Sequence, residues 1–396
     1  MKIYLFDTPE SHLNLLPLSY VRPVADFRCG ISTIRQKWER ILNTSCGYYP
    51  ADYLRDKYGT VENPDETSLF IAGNLLPRKD TAECFLNLNP GEAVLKDDQP
   101  MAFKGTLSQF EAGDWKAVDC KGTLKLIEYV FDIFLFNAEE IKQDYEVLTK
   151  GRVSQPLPEC VRTLECNKPA RESHDIFIEE GATVECATIN VSEGPVYIGK
   201  DSILMEGACV RGPFALCEGS EVRMGAKIYE GTTIGPHCKV GGEVSNTVFF
   251  GYSNKAHDGY LGNAVIGEWC NIGAGANASN LKNDYSLIRI WNYRTKSFMR
   301  TDLQFCGLIM GDHSKIGVNC MINTATVIGV GVNLHGAGFP RTFVPCFSEG
   351  SATAGFTSVP LKKFIEIADR VMSRRDMKPS EADIEVLRHV YENQQQ

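Results

Sequence analysis

The sequence predicts two halves of different construction, an α/β domain and a parallel β-solenoid, followed by C-terminal helices. Three observations carry this reading. Strand-like and helix-like segments alternate over the first 150 residues, an aliphatic residue recurs at every sixth position from about residue 176, and a helical period returns past residue 360. The expected domains are therefore 1–150 (α/β), 151–175 (linker), 176–350 (solenoid) and 351–396 (helical segment).

In the first half, KIYLF (2–6) and SLFIAG (68–73) read as short buried strands. Ser32 or Thr33 can cap a helix whose apolar residues Ile34, Trp38, Ile41 and Leu42 share one face. Alternation of this kind favours a largely parallel sheet. Residues 151–175 (GRVSQPLPECVRTLECNKPARESHD) are polar, rich in Pro and Cys and without period.

The solenoid signal is the strongest. Ile198, Leu204, Val210, Leu216, Val222, Ile228, Ile234 and Val240 stand six residues apart, and the series resumes at Ile266 and Ile272 and again at Ile316, Ile322, Ile328 and Leu334. Small residues such as Ser202, Ala208, Ser220, Ala226, Cys238, Cys270, Ser314 and Cys320 lie two positions earlier. Six fits neither a helix nor a lone strand. It fits a coil with three flat faces, one aliphatic per face filling the interior and a small residue at each tight corner. Beyond it, VPLKKFIEIADRVMSR and PSEADIEVLRHVYEN read as helices, the second started by Pro379 and Ser380. They are expected to cap the open end of the solenoid.

Composition narrows the function. The formal charge of −9 argues against nucleic acid, which needs a basic face. No apolar run is long enough for a membrane span and MKIYLFDTPE does not read as a signal peptide, so a cytoplasmic protein is expected. The fourteen cysteines are scattered without CxxC spacing and read as reduced small hydrophobes. Nothing indicates a tightly bound cofactor.

The stretch HDGYLGNAVIGEWCNIGAGANASN (257–280) carries a resemblance. It is similar to the acetyltransferase domain of the bifunctional N-acetylglucosamine-1-phosphate uridyltransferase / glucosamine-1-phosphate acetyltransferase family, which has His-x-x-Tyr-x-Gly, then Asn-Ile-Gly-Ala-Gly, then Asn. The resemblance implies a left-handed β-helix and a homotrimer. It also implies His257 as general base, Glu243 (in GEVSN) as the carboxylate beside it, and Tyr260, Asn271 and Asn280 as contacts to sugar and acyl group. Arg223, in VRMGA, becomes the phosphate ligand. The chemistry suits these types: thioester-to-amine acyl transfer needs a base near neutral pKa, an amide donor for the oxyanion, and a guanidinium for phosphate. Asn271 could equally belong to a stacked corner ladder. Two phosphate-neutralising lysines of the family are Ser245 and Ser286 here, so Lys282, Arg289 and Lys255 are the cations at hand to replace them. His237 reads as structural, His313 (GDHSKIG) as a second histidine on the acyl-donor side, and Arg341 (GFPRTF) as a contact for the coenzyme A phosphate. The segment 288–307 (IRIWNYRTKSFMRTDLQFCG) is longer and more aromatic than the family's equivalent.

The first half resembles sugar nucleotidyltransferases, which implies a Rossmann-like α/β fold. Arg22-Pro23 and Gly30 match a Lys/Arg-Pro pair and a following Gly, but FDTPESHLNLL stands where the family has its Gly-rich phosphate loop. Triphosphate binding would then rest on Arg22 and Arg28. Asn74, in SLFIAGNLLPRKD, stands where a metal-binding Asp is usual, and Asp132 (YVFDIFLFN) resembles the second Mg²⁺ carboxylate, with Asp80 as the substitute. Across the chain, the RPVADFR-CG opening, GNLLPR, LQFCGLIMGDHSKIG and GAGFPR resemble a divergent, Bacteroidetes-type version of the bifunctional enzyme, also described as glucose-1-phosphate thymidylyltransferase-like.

The expectation is a transferase. Acetyl transfer from acetyl-CoA to an amino-sugar phosphate takes place in the solenoid, and Mg²⁺-dependent nucleotidyl transfer from a nucleoside triphosphate in the N-terminal half. The alternatives are a nucleotidyltransferase with a structural solenoid, or a non-catalytic sugar-nucleotide binder.

Overall fold

In the computed structural model, residues 1–165 and 175–393 are described. The N-terminal sheet runs in the order Gly47–Tyr49, Ile3–Phe6, Ser68–Ala72, Gln99–Gly105, Glu92–Lys96 and Lys116–Ala117. Its first three strands are parallel, but Gln99–Gly105 is antiparallel to both of its neighbours, so the sheet is mixed rather than largely parallel. The cause is local. Asp97 and Asp98 both adopt positive φ (50° and 62°), the conformation of a tight two-residue hairpin turn, and fold the chain straight back. The helix Ile34–Leu42 starts as expected, with Thr33 and Gln36 forming a reciprocal capping box and Trp38 fully buried.

The solenoid follows the six-residue period closely. Its inward aliphatics sort into three columns. One runs Leu204, Val222 and Val240, resuming at Ile272, Ile316 and Leu334. The second is Val210, Ile228, Val244 and Leu261, and the third Ile198, Leu216, Ile234, Phe249, Ile266 and Met310. All are buried. The interruption between Val240 and Ile272 has an explanation: Lys255 pairs with Val240 and occupies the aliphatic place, 1% exposed. The span expected as a linker also contributes a strand, Arg162–Leu164, which pairs with Thr188–Asn190 and joins the solenoid sheet.

One solenoid face is buried on both sides. Its outward residues Val248, Val265, Ile309 and Val327 pair in register and belong to the same core as Leu5, Phe27, Phe70 and Phe134 of the N-terminal domain. The helix Asp132–Thr149 lies over this face. Asn137 locks it there, accepting from Gly30 N (2.7 Å) and donating to Gly231 O (2.7 Å). Gly30 has φ 83°, and a Cβ there would come within 2.6 Å of Asp144 Oδ2, so this glycine serves close packing rather than phosphate approach.

The C-terminal helices do not cap the open end. Leu361–Ser373 lies along the solenoid flank, and Glu381–Asn393 bridges to the N-terminal domain through Tyr53 stacked on His389 (4.1 Å) and the Lys57–Asp383 pair (2.9 Å). The reason is a column of corner residues that offers that flank an aromatic surface. His237, Tyr252, Trp269 and His313 all have φ between 51° and 59° and stack in sequence, and Phe364 packs edge-on against His313. Cys84 and Cys120 are joined in a disulfide, correcting the reading of all cysteines as reduced; their separation of 36 residues gave no signal. Among the described residues no helix is long and apolar enough to cross a membrane.

Candidate functional site

The solenoid cleft is built by alternation. On the face carrying the Lys255 column, successive coils turn Lys239, Asn254, Asn271 and Lys315 outward, in register. Between these side chains and the C-terminal end of the helix Leu361–Ser373 lies a cavity of about 490 Å³, also lined by His257, Tyr252, Trp269, Arg374 and Arg375. His257 sits at the exposed corner where the chain turns onto the next face. Its imidazole makes no hydrogen bond among the described residues, while its carbonyl accepts from Lys255 Nζ (3.0 Å).

Lys255 also donates to Gly241 O (2.9 Å), so a buried ammonium ties two neighbouring coils together at the His257 corner. Burial lowers its pKa to about 8, with Asp258 opposing. Lys315 is held in the same manner by Trp269 O (2.6 Å) and His313 O (3.0 Å), and burial brings it to about 8 as well.

The predicted constellation is split by the corner. His257 and Asn271 share the cavity. Tyr260 and Asn280 lie on the adjacent face, where Asn280 donates to Tyr260 OH (2.9 Å) and to Asn263 Oδ1 (2.7 Å). Glu243 pairs in register with Tyr260, and its carboxylate acts electrostatically on that phenol, whose pKa burial raises. It lines no part of the His257 cavity. Arg223 pairs with Glu221 (2.8 Å), which also binds Lys239 (2.6 Å), so Arg223 reaches the cavity only through that carboxylate. Lys282 is turned to Ser286 Oγ and Leu287 O, and the exposed Arg341 side chain has no hydrogen bond or ion pair among the described residues. His237 and His313 are members of the aromatic column; burial holds His313 well below its ordinary pKa and therefore neutral.

The N-terminal cleft, about 240 Å³, opens beyond the C-terminal ends of the strands Ile3–Phe6 and Ser68–Ala72, where open α/β sheets bind ligands. Asn74 lines it. The arginines expected there are elsewhere. Arg22 is 5% exposed, paired with Asp312 and with Glu268 (3.2 Å) and lying over the Phe250 ring. Arg28 donates to Phe250 O (3.3 Å) and Ile31 O. Both join the two halves and neither lines the cleft.

The groups expected at the metal are held by neighbouring main chain. Asp132 Oδ2 accepts from the Glu128 and Tyr129 amides (2.8 Å each), and burial raises this carboxyl to about 6. Asp80 accepts from Thr81 N and Thr123 N (2.9 Å each). Asn74 donates to Ile127 O (3.1 Å). No cluster of three His, Cys, Asp or Glu able to hold a metal occurs among the described residues.

The aromatic segment 288–307 was missed as a domain contact. Arg289–Asn292 and Ser297–Arg300 form a hairpin that leaves the solenoid and meets the N-terminal domain through Arg294–Glu10, Asn292–Asn14 (3.3 Å) and Tyr293–Tyr20. Glu10 and Asn14 line the N-terminal cleft, so this hairpin braces its wall.

The architecture comprises a mixed-sheet α/β domain, a parallel β-solenoid and C-terminal helices. Residues 3–153 match the family model described as "Sugar nucleotidyl transferase". Among curated proteins, the "Bifunctional protein GlmU" of Gloeobacter violaceus is 30% identical over 118 residues, covering 29% of this chain and 22% of that protein. The protein of the same name from Methylibium petroleiphilum is 27% identical over 198 residues, covering 45% of this chain and 39% of that protein. The chain thus matches less than two fifths of the length of either relative. Similar solved structures include a hexapeptide transferase family protein from Anaplasma phagocytophilum (TM-score 0.29, 13% identity, 59% of this chain and 99% of that one). Another is LpxA, a UDP-N-acetylglucosamine acyltransferase from Bacteroides fragilis (TM-score 0.22, 13% identity, 56% of this chain and 96% of that one).

Proposed function

We propose that the protein is a sugar-phosphate transferase whose solenoid moves an acetyl group from acetyl-CoA to the amine of an amino-sugar phosphate, at His257. The observation that carries this is an unpartnered imidazole beside Asn271 at the mouth of a 490 Å³ cavity. In the step, the imidazole takes a proton from the acceptor ammonium. The freed amine attacks the thioester carbonyl carbon, the C–N bond forms as the C–S bond breaks, and the surplus proton on the nitrogen passes to the departing thiolate, so that coenzyme A leaves as the thiol. The Asn271 amide is placed to donate to the developing oxyanion. The homotrimer expected from the resemblance belongs to this reading, and sedimentation of the purified chain tests it.

The test is thiol release from acetyl-CoA with glucosamine-1-phosphate in wild type and His257→Ala. Release in the wild type that the substitution abolishes supports the reading. Equal release in both assigns the transfer elsewhere and favours a nucleotidyltransferase with a structural solenoid.

A second reading of the N-terminal half rests on the burial of Arg22 and Arg28 and the divergence of Asn74, Asp80 and Asp132. There the family match denotes a domain that binds a sugar nucleotide without the metal-dependent step. Pyrophosphate release from nucleoside triphosphate and sugar-1-phosphate, measured separately from thiol, decides between binding and nucleotidyl transfer.

A further inference from the structure

The cavity beside His257 has an unusual charge balance for this chain. The protein carries a formal −9, yet the lining includes Lys239, Lys315, Arg374 and Arg375 and no carboxylate. Lys239 is neutralised from behind by Glu221. Among the described residues the other three make no ion pair with a carboxylate, and Asp312 acts on Lys315 only through space. Lys315 Nζ donates to carbonyl oxygens, Arg375 donates to His237 O (3.1 Å) and to Asn254 Oδ1 (3.3 Å), and the exposed Arg374 side chain has no hydrogen bond or ion pair among the described residues.

Two separate elements bring these charges together. Lys315 projects from the solenoid face, while Arg374 and Arg375 end the helix Leu361–Ser373, which the aromatic corner column holds against that face. A helix C-terminus accounts for one cation in its last turn through the macrodipole. It does not account for two arginines lining the same cavity as a lysine, where like charges repel unless an anion lies between them.

We infer that Lys315, Arg374 and Arg375 form the phosphate subsite of this cavity, gripping a phosphomonoester or diphosphate group of the ligand that His257 serves. The inference rests on the acyl-transfer reading and deepens it: this trio replaces the positive charge lost where the sequence has Ser245 and Ser286. The guanidinium pair supplies forked donors to phosphate oxygens and the ammonium a point charge opposite them. The phosphate can belong to the acyl donor or to the sugar acceptor, and the two sources are separable.

Calorimetry on the full chain provides the test, with pyrophosphate, coenzyme A, dephospho-coenzyme A, glucosamine-1-phosphate and glucosamine as probes. The variants are Arg374→Glu and the double Arg374→Ala/Arg375→Ala. Arg374 has no partner to lose, so its substitution keeps the test valid if the double variant loosens the helix. The expected result is wild-type binding of a phosphorylated probe that weakens at least tenfold in both variants, about 1.4 kcal/mol, and persists in His257→Ala. Preference for coenzyme A over its dephospho form assigns the phosphate to the donor, and preference for glucosamine-1-phosphate over glucosamine to the acceptor. Equal affinity in wild type and Arg374→Glu, or no binding of any phosphorylated probe, overturns the inference. If thiol release continues in Arg374→Glu with unchanged KM, the subsite is wrong while the acyl-transfer reading stands.

Discussion

The N-terminal cleft and the solenoid cleft use their basic residues in opposite ways. Toward the N-terminal cleft, Arg22 and Arg28 sit in sequence where a nucleotide-binding arginine would be expected, yet both are buried against the solenoid and held there by Asp312, Glu268 and main-chain carbonyls. At the solenoid cleft, Lys315, Arg374 and Arg375 lie far apart in sequence from the motif that suggests a site, and among the described residues no carboxylate lines the cavity with them. A cation near a familiar motif is a ligand only if its charge is still available. The partner list, more than the motif, assigns the role.

The comparison breaks most severely at His257. His257→Ala is expected to lower kcat for acyl transfer by about 10²–10⁴, the usual worth of a positioned general base. It should leave stability within about 0.5 kcal/mol, since the side chain is exposed and unbonded. Thiol release and a denaturation midpoint measure the two. Parallel losses in both would make His257 a structural corner residue.

Arg22→Ala tests the other half. It leaves Asp312, 2% exposed, as an uncompensated buried charge between the halves, which costs about 3–5 kcal/mol. Chemical denaturation should show that loss, and Arg22→Met combined with Asp312→Leu should recover most of it. A small effect of Arg22→Ala on stability with a large one on nucleotide binding would return this arginine to the cleft.

Lys255→Met probes the lysine in the aliphatic column. A folded-state pKa of about 8 against an ordinary 10.5 means that the unfolded chain holds more proton between those values. Wild-type stability therefore rises relative to the variant as pH goes from 8 to 10.5, by up to about 3 kcal/mol, and does not change relative to it below 8. The comparison between the two proteins cancels Lys315, which shifts in both. Urea midpoints at pH 7, 9 and 10.5 give the curve, and parallel curves would mean that this ammonium is solvated.

The solenoid was legible because its period is a direct image of its geometry: each aliphatic from Ile198 to Val240 fills one face of one coil. The gap after Val240 was legible only as a gap, since a lysine at an inward position carries no sign that it is inward. Burial of the face bearing Val248, Val265, Ile309 and Val327 could have been read from NTVFFG, NAVIGE, GLIMGD and ATVIGV. These strands are apolar on both sides, as strands covered on both faces are. The pairing of Arg22 with Asp312 could not be read, because 290 residues separate them and neither flanking pattern refers to the other. Arg374 and Arg375 were passed over for the same reason: they end a helix whose docking depends on the aromatic corner column.

The smallest effect concerns Asn74, and it sharpens the account of the N-terminal cleft. If that cleft had lost its metal through a single amide, Asn74→Asp would restore it. The geometry argues otherwise. The side-chain amide of Asn74 donates to Ile127 O at 3.1 Å and the residue is 8% exposed, so a carboxylate there would face a carbonyl oxygen at hydrogen-bond distance. Asp132 and Asp80 already accept from backbone amides of their own neighbourhoods, Asp132 through Oδ2 and Asp80 through both oxygens. Asn74→Asp is thus expected to destabilise by about 1–3 kcal/mol, the cost of an unsatisfied buried acceptor pair, with no increase in thermal midpoint on adding Mg²⁺. Repulsion of this kind relaxes on protonation, so the loss should shrink as pH falls toward 4. A Mg²⁺-dependent gain in midpoint at pH 7.5 would instead show that the cleft can close around a metal, and would favour nucleotidyl transfer over binding alone.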